Sequence, residues 1–233
     1  MAEVQTAESE TVDSARRLVV AVLGGTGDQG HGLARRFAVA GLRVLIGSRD
    51  RQRAATRADE LRREVPDGHI SGGVNAEVAA AADLVIVAVP YDGHAATLEP
   101  LREALAGKIV VDCVNPLGFD RQGAFPLAVP EGSAAQQAAA LLPDSRVVAA
   151  FHHVSAPLLV DPEVSTVDLD VLVLGDDRDA TDTVQALAAV IPGMRGIYAG
   201  RLRNARQVEA LTANLVSINR RYKAHSGIRV TDV

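Results

Sequence analysis

Three glycines in the spacing G-x-G-x-x-G stand near the start of the chain, at Gly25, Gly27 and Gly30. In dinucleotide-binding turns the first glycine permits the tight turn, the second keeps side chains away from the pyrophosphate, and the third lets the following helix pack closely. The context suits this chemistry, because residues 18–23 predict a strand and residues 28–40 have helical spacing. The pattern therefore predicts a dinucleotide site, with a glycine-rich turn that binds nothing as the alternative.

Free backbone N–H groups in this turn are the expected phosphate ligands. A helix N-terminus carries a partial positive charge and leaves its first N–H groups without partners inside the helix. The groups concerned belong to Thr26, Gly27, Asp28 and Gln29.

A second signal follows the predicted second strand, residues 43–47, where NAD-binding domains carry an acid that holds the ribose 2′-hydroxyl. Here Ser48 and Arg49 occupy that place, and no acid appears before Asp50. Arg49 can hold a 2′-phosphate, which a carboxylate would repel. Arg53 lies one helical turn further on. Cations at a helix N-terminus interact unfavourably with the helix dipole, which favours a bound anion as the reason for their presence. We expect NADP(H) rather than NAD(H), the alternative being a surface arginine pair.

Further candidates follow the later predicted strands, because ligands of a doubly wound sheet lie beyond the carboxyl ends of its strands. They are Val89, Pro90, Asn115, His152 and His153. Neighbouring residues of a strand point to opposite faces, so we expect that both histidines cannot serve one site through their side chains. Neither metal-ligand spacing, nor paired carboxylates, nor an activated nucleophile stands out. We therefore predict no metal site and no catalytic acid or base, with the chemistry left to the cofactors.

Strand-like and helix-like segments alternate with short connections, which predicts a parallel sheet covered on both faces. The expected fold is α/β, a doubly wound Rossmann-type sheet with a small C-terminal α/β cap. We predict a disordered extension at residues 1–17, a dinucleotide-binding Rossmann domain at 18–150 and a small C-terminal domain at 151–233. Residues 115–130 contain three prolines and predict a loop, and residues 93–106 predict one helix.

Bulk properties exclude several classes of protein. The net charge of −5 over 233 residues gives no reason to expect nucleic acid or an anionic membrane as a partner. No apolar run approaches the roughly 18 residues of a membrane span, and the polar first 17 residues lack a signal-peptide core. The one cysteine, Cys113, cannot form an intramolecular disulfide, which suits a reducing cytoplasm.

Taken together, these motifs resemble the coenzyme F420-dependent NADP reductases, the deazaflavin:NADP oxidoreductases of archaea and actinobacteria. The matching runs are LGGTGDQG at 23–30, GSR at 47–49, VPY at 89–91, VAAFHHVSA at 148–156 and RLRNARQVEALT at 201–212. The resemblance covers residues 18–233. It implies a reversible hydride transfer between reduced F420 and NADP+, carried out by a homodimer.

The resemblance also implies which residues hold each part of the two coenzymes. The backbone of the glycine turn binds NADP at Thr26, Gly27, Asp28 and Gln29. The 2′-phosphate pocket matches Ser48, Arg49 and Arg53, and the nicotinamide end matches Val89, Pro90 and Ala156. The deazaflavin is implied to stack on the nicotinamide near His152, Gly227 and Ile228, so that the C-terminal domain completes its site.

Two other functions remain open. One is another NADPH-dependent reductase, acting on an imine, a ferric chelate or a carbonyl. A carbonyl reductase needs a positioned acid, and only Tyr91 stands at a strand end. The other is an NADP(H)-sensing module without catalysis. Turnover with purified F420 separates these possibilities.

Overall fold

The computed structural model describes residues 11–233 and is organised around an eight-stranded sheet. Its strands are β1 Val19–Leu23, β2 Arg43–Ser48, β3 Ile70–Val74, β4 Leu84–Val87, β5 Ile109–Asp112, β8 Arg146–Ala149, β9 Leu169–Gly175 and β10 Met194–Gly200. Two more strands, β6 Leu117–Asp120 and β7 Gly123–Pro126, form a separate antiparallel hairpin. The order in the main sheet is β10-β9-β8-β5-β4-β1-β2-β3.

Helices cover the sheet on both faces. They are α1 Asp28–Val39, α2 Arg51–Glu64, α3 Asn75–Ala81, α4 His94–Leu98, α5 Arg102–Leu105, α6 Ala134–Leu141, α7 Ala156–Val160, α8 Arg178–Ala189 and α9 Ala205–Tyr222. Single 3₁₀ turns lie at Tyr91–Gly93, Glu99–Leu101 and Leu202–Asn204. In the part of the chain from residue 11 onward, no helix is long and apolar enough to cross a membrane.

The doubly wound arrangement is confirmed. Strands β3, β2, β1, β4, β5 and β8 are parallel neighbours, and the chain reverses its direction of winding between β1 and β4. Side chains alternate across the sheet, so Val20 and Val22 face α1, α2 and α8, whereas Ala21 and Leu23 face α3 to α6 and α9. Both faces are apolar because both are covered by helices.

The last two strands extend the same sheet in the opposite direction. β9 pairs antiparallel with β8, with Val148 opposite Gly175, and β10 runs parallel to β9. Residues 151–233 therefore share the sheet with residues 18–150, and backbone pairing is continuous across the predicted boundary. An apolar run indicates a strand but carries no information on its direction or its neighbour.

Two local predictions are corrected. Residues 115–130, predicted as a loop, contain the β6–β7 hairpin, whose turn is closed by the Asp120 carboxylate accepting N–H groups from Gln122 at 2.7 Å and Gly123 at 3.1 Å. The helix predicted at residues 93–106 is interrupted around Pro100, since proline supplies no N–H for an α-helical hydrogen bond.

The predicted N-terminal extension is partly wrong. Residues 1–10 lie outside the described part of the chain, but residues 11–15 are helical. Ala15 is buried in the core and Val12 packs against it. The two residues are three apart and share a helix face, and this face packs residues 11–15 on the core.

Candidate functional site

The glycine turn lies at the switch point of the sheet. β1 ends at Leu23, between Gly47 of β2 and Val87 of β4. The next residue, Gly24, has φ +80°, and a Cβ there would lie 2.3 Å from the carbonyl oxygen of Ala88. Only glycine fits both constraints. The sequence pattern did not single out Gly24, because the motif begins one residue later.

The remaining glycines meet different surroundings. A Cβ on Gly30 would lie 2.6 Å from the carbonyl oxygen of Gly24, so α1 packs directly on the turn. A Cβ on Gly25 would lie 3.2 Å from Cγ2 of Ile46. At Gly27, the N-cap of α1, the closest described atom would be 3.6 Å away, and the position is exposed. Among the described residues nothing crowds a side chain at residue 27, so the space beside the turn is open at this position.

Substitution separates the role of Gly30 in packing from the expected role of Gly27 in binding phosphate. Gly27→Ala is expected to leave the melting temperature of the apoprotein nearly unchanged and to weaken NADP binding at least about tenfold, because the methyl group keeps the pyrophosphate off the backbone. Gly30→Ala is the matched control, since its methyl group meets backbone atoms and should lower the melting temperature itself. Thermal unfolding and NADP titration measure the two effects. Wild-type NADP affinity in Gly27→Ala would refute the phosphate role.

The expected 2′-phosphate end is a cavity of about 500 Å³ beside the turn, called here the phosphate-end cavity. Its lining residues are Thr26, Asp50, Gln52, Arg53, Thr56, Arg57 and Glu60. It thus joins Thr26 of the glycine turn to Arg53 of α2. Arg49 is exposed at the end of β2, next to Ser48.

The nearby acid, Asp50, is occupied by the backbone. Its carboxylate caps α2 by accepting the N–H of Arg53 at 2.9 Å, and its own N–H donates to Ser48 Oγ at 3.2 Å. The Ser48 hydroxyl keeps its proton for another acceptor. Among the residues described, Arg49 and Arg53 form no ion pair, whereas Arg57 is paired with Glu60 at 2.8 Å. The edge of β2 therefore offers two free guanidinium groups and a hydroxyl donor.

A larger cavity of about 720 Å³, called here the central cavity, lies beyond the ends of β4, β5 and β8. Gln29, His152 and Ala156, all predicted site residues, line it together with the strand-end residues Ala88, Cys113 and Asn115. Its outer wall comes from α9 and from the chain that follows α9, including Thr212, Asn219 and residues 223–226. Sequence reasoning did not assign a site role to this wall.

Four predicted residues lie near the central cavity without lining it. Val89 is half-buried, and its side chain lies beside the Gly24 turn. Pro90 is exposed and begins the 3₁₀ turn after β4. Gly227 and Ile228 follow the wall residues directly and lie against β9, where the Ile228 carbonyl accepts the N–H of Asp170 at 2.8 Å.

The prediction about the two histidines is wrong. β8 ends at Ala149, and Phe151 has φ +63°, so strand alternation does not apply to the residues that follow. His152 and His153 consequently both line the central cavity. Gln29 Nε2 donates to the Phe151 carbonyl at 3.2 Å, which ties the glycine turn to this bend. A buried non-glycine residue with positive φ is a form of backbone strain found at functional sites.

His152 is the least compensated polar group in the central cavity. The residue is 3% exposed, and neither ring nitrogen has a partner among the described residues. Its carbonyl accepts hydrogen bonds from Asn115 Nδ2 at 2.8 Å and Thr212 Oγ1 at 3.1 Å, so the backbone that carries the ring is held in place. Burial lowers the pKa of His152 to about 4, so the ring is neutral at pH 7 and offers one donor and one acceptor.

His153 differs in having one partner. Its Nε2 accepts the N–H of Leu172 at 3.3 Å, which places the ring proton on Nδ1, and Nδ1 is without a partner in the described structure. Burial lowers the pKa of His153 to about 4 as well. The thiol of Cys113 donates to the Val87 carbonyl at 3.0 Å, and burial raises its pKa, so it stays protonated. Neutral groups therefore surround this part of the central cavity.

A buried pair that the sequence did not reveal supports the end of β5. His94 Nε2 lies 2.6 Å from Asp112 Oδ2, and both side chains are fully buried. Burial by itself would lower the pKa of His94, but the hydrogen bond and charge of Asp112 raise it. The other oxygen of Asp112 accepts the N–H of Val114 at 3.0 Å and so orders the turn that carries Asn115 into the cavity. The partners lie 18 positions apart in the sequence, so no local pattern signals the contact.

Both cavities suit the groups that the sequence predicted. The open space at Gly27 and the free guanidinium groups fit a phosphorylated dinucleotide. The unpartnered ring nitrogens of His152 fit a buried polar edge of a second molecule. Because Gln29 lies between the turn and the central cavity, the two molecules would meet at the switch point.

Comparison with known proteins agrees with this arrangement. A family model described as NADP oxidoreductase, coenzyme F420-dependent, matches residues 19–116. The chain is 41% identical over 221 residues to the F420-dependent NADP reductase of Methanothermobacter marburgensis, covering 92% of this chain and 98% of that protein. For the F420-dependent NADP reductase of Methanocaldococcus jannaschii the identity is 40% over 221 residues, with the same coverage of 92% and 98%.

A solved structure supports the same relationship. A protein of Arthrobacter sp. FB24, assigned to the F420-dependent NADP reductases, superposes with a TM-score of 0.79 at 30% identity. The superposition covers 92% of this chain and 99% of that one. Since the similarity in sequence and structure spans nearly the whole of each protein, the chain belongs to the family of coenzyme F420-dependent NADP oxidoreductases.

Proposed function

We propose that this protein transfers a hydride directly between reduced coenzyme F420 and NADP+, with no essential protein acid or base. Membership of the family makes the chain an oxidoreductase of NADP and F420. It favours F420, over an imine, a ferric chelate or a carbonyl, as the molecule that exchanges hydride with NADP(H). The observation that supports direct transfer is the central cavity, where Gln29 of the glycine turn and the unpartnered ring of His152 face one space.

The NADP end is assigned to residues that the structure leaves free. The backbone of Gly25, Thr26, Gly27, Asp28, Gln29 and Gly30 is proposed to hold the pyrophosphate. Ser48, Arg49 and Arg53 are proposed to hold the 2′-phosphate, since among the residues described neither arginine is engaged in an ion pair. Val89, Pro90 and Ala156 are proposed to border the nicotinamide.

The deazaflavin is assigned to the central cavity, with His152 and the C-terminal segment 151–233, including Gly227 and Ile228, completing its site. When bound, the two coenzymes supply the hydride donor and acceptor, and the protein supplies position and electrostatics. Holding reacting carbons about 3–3.5 Å apart accounts for roughly 7–11 kcal/mol of barrier reduction. A neutral His152 can donate one hydrogen bond to a ring whose charge changes, without itself changing protonation.

Isotope transfer and histidine variants test the mechanism. Deuterium at the reactive nicotinamide position should appear on the deazaflavin and not in water. His152→Ala and His153→Ala should each lose less than about a hundredfold in turnover, the low end for removal of a general acid or base. Release of the label to solvent, or complete inactivity of either variant with coenzyme binding intact, would defeat direct transfer.

We also propose that the protein is a cytoplasmic homodimer, as the family resemblance implies. The hairpin and α9, which contact each other, expose large apolar side chains at Phe119, Phe125, Ile218 and Tyr222. Such a cluster is a common feature of a protein interface. The buried Cys113 gives no disulfide that would point to an oxidising compartment.

Sedimentation tests the dimer and its face together. Wild-type protein should have twice the chain mass of 24.4 kDa at micromolar concentration. Phe119→Asp should shift the equilibrium from dimer toward monomer, because burying a charge at an apolar interface is unfavourable. Glu103→Lys, an exposed change on α5, is the control. A wild-type monomer would contradict the dimer, and a dimeric Phe119→Asp variant would contradict this face.

A further inference from the structure

The tail of the chain, residues 223–233, has no helix or strand of its own, yet it forms part of the central cavity. Lys223, Ala224, His225 and Ser226 line the outer wall. An irregular segment keeps a fixed shape only if contacts offset its conformational entropy, about 1–2 kcal/mol per residue for the backbone. The structure shows strong contacts on both sides of these wall residues.

The first anchor is Asn219, in the last turn of α9. Its Oδ1 accepts both the N–H of Ser226 at 2.6 Å and the hydroxyl of Ser226 at 2.7 Å. Lys223 ends the helix in the left-handed conformation, with φ +54°, and so turns the chain back towards Asn219. Residues 223–226 are thereby closed into a loop on α9.

The second anchor is Asp170, in β9, whose side chain is fully buried. Arg195 of β10 donates to both of its oxygens at 2.7 Å. From the tail, Arg229 Nη1 donates to Oδ1 at 2.6 Å and the N–H of Val230 donates to Oδ2 at 2.7 Å. The hydrogen bonds from Arg195 keep the pKa of Asp170 below its usual value, so the carboxylate is charged at neutral pH.

Gly227 joins the two anchors and passes very close to the sheet. A Cβ at this position would lie 2.9 Å from Cβ of Leu169. The wall is therefore held between α9 on one side and β9 on the other. Across the cavity mouth, Ser155 Oγ and His225 Nδ1 are 3.2 Å apart, which links the wall to the bend that carries His152.

We propose that Asp170 and Arg229 are positioning residues that hold the tail against β9 and so shape the F420 site. The contact between their side chains is called here the clasp. The inference rests on the proposed function, because it takes the central cavity as the site of the deazaflavin. Neither residue lines the cavity, so each acts through the tail. The NADP turn and the phosphate-end cavity are built from other elements, so a loosened clasp should affect F420 and spare NADP.

Arg229→Gln is the sharpest test, because it removes the ion pairs of the tail with Asp170 and Asp168 and leaves Arg195 paired with Asp170. The KM for F420 should rise about three- to tenfold, as expected for a lost hydrogen bond to a charged group near the surface, with the KM for NADP changed less than about twofold. Backbone amides of residues 224–228 should exchange with deuterium faster. Arg229→Lys should recover part of both effects, since it keeps the charge. Arg178→Gln, exposed on α8, is the control.

The possible outcomes distinguish a failure of the positioning role from a failure of the proposed F420 activity. Faster exchange in the tail with an unchanged KM for F420, or equal increases in both KM values, would overturn the positioning role. Unchanged exchange would show that Arg229 does not hold the tail. If the wild-type protein fails to turn over F420, the proposed function fails, and the exchange rates alone then decide whether the clasp exists. Deleting residues 229–233, which leaves Gly227 and Ile228 in place, should reproduce the Arg229→Gln effects at larger size.

Discussion

Lowering the pH from 7.5 towards 4 is expected to destabilise the apoprotein by roughly 3 kcal/mol for each of His152 and His153 once protonated. Burial is the main cause, since it lowers both folded-state pKa values to about 4 from an ordinary 6.5. The unfolded chain therefore takes up each proton first. This contribution to stability is complete above pH 6.5 and is lost as the pH falls through about 4.

The test compares variants, because other groups titrate in the same range. Burial raises the pKa of Glu209 to about 7, so this residue contributes in the opposite sense, with stability present below pH 4.5 and lost as the pH rises through 7. Urea denaturation of wild type and of the double variant His152→Gln/His153→Gln at pH 7.5 and 4.5 isolates the histidines. The double variant should lose less stability in acid, and His69→Gln, at an exposed position, should behave as wild type. Parallel acid losses in all three proteins would contradict the assignment.

Replacing Arg49 with alanine should weaken NADP(H) binding about 10- to 100-fold, because a hydrogen bond to a charged group contributes about 1.5–3 kcal/mol. NAD(H) lacks the 2′-phosphate, so its affinity should hardly change. Arg49→Lys should lie between the two proteins, since lysine keeps the charge but loses the planar fork. Titration with both nucleotides measures the difference.

The control for this change is Arg63→Ala, which removes an exposed cation from the other end of α2. It should leave both affinities as they are in wild type. An equal loss of NADP and NAD affinity in Arg49→Ala would remove the 2′-phosphate role. An equal loss of NADP affinity in both alanine variants would attribute the effect to general charge and not to this position.

Local pattern was enough to predict the glycine turn and the lack of a free acid directly after β2. The glycine spacing requires a tight turn between a strand and a helix, and β1 and α1 supply it. The absence of an acid before Asp50 is likewise a local fact, and the structure shows that Asp50 caps α2 instead of facing a ribose. Backbone geometry and nearby residues determine this region, so a short stretch of sequence contains the necessary information.

The central cavity depended on contacts between distant residues. Alternation along a predicted strand placed His152 and His153 on opposite sides, but the bend at Phe151 brings both into one space. The carbonyl of His152 is held by Thr212, which is 60 residues away. The continuity of β9 with β8 and the pairing of His94 with Asp112 likewise leave no periodic trace in the sequence.

The sequence by itself determined the doubly wound sheet, the glycine turn after β1, the cations at the end of β2 and the resemblance to the F420-dependent NADP reductases. These features follow from periodicity, glycine spacing and charge, which act over a few residues. Only the tertiary structure decided which groups lose water and which find partners. His152 is buried with no partner for its ring nitrogens among residues 11–233, whereas Asp170 binds Arg195 and Arg229 from separate segments. Desolvation and long-range hydrogen bonding depend on packing, and packing joins residues that the linear order keeps apart.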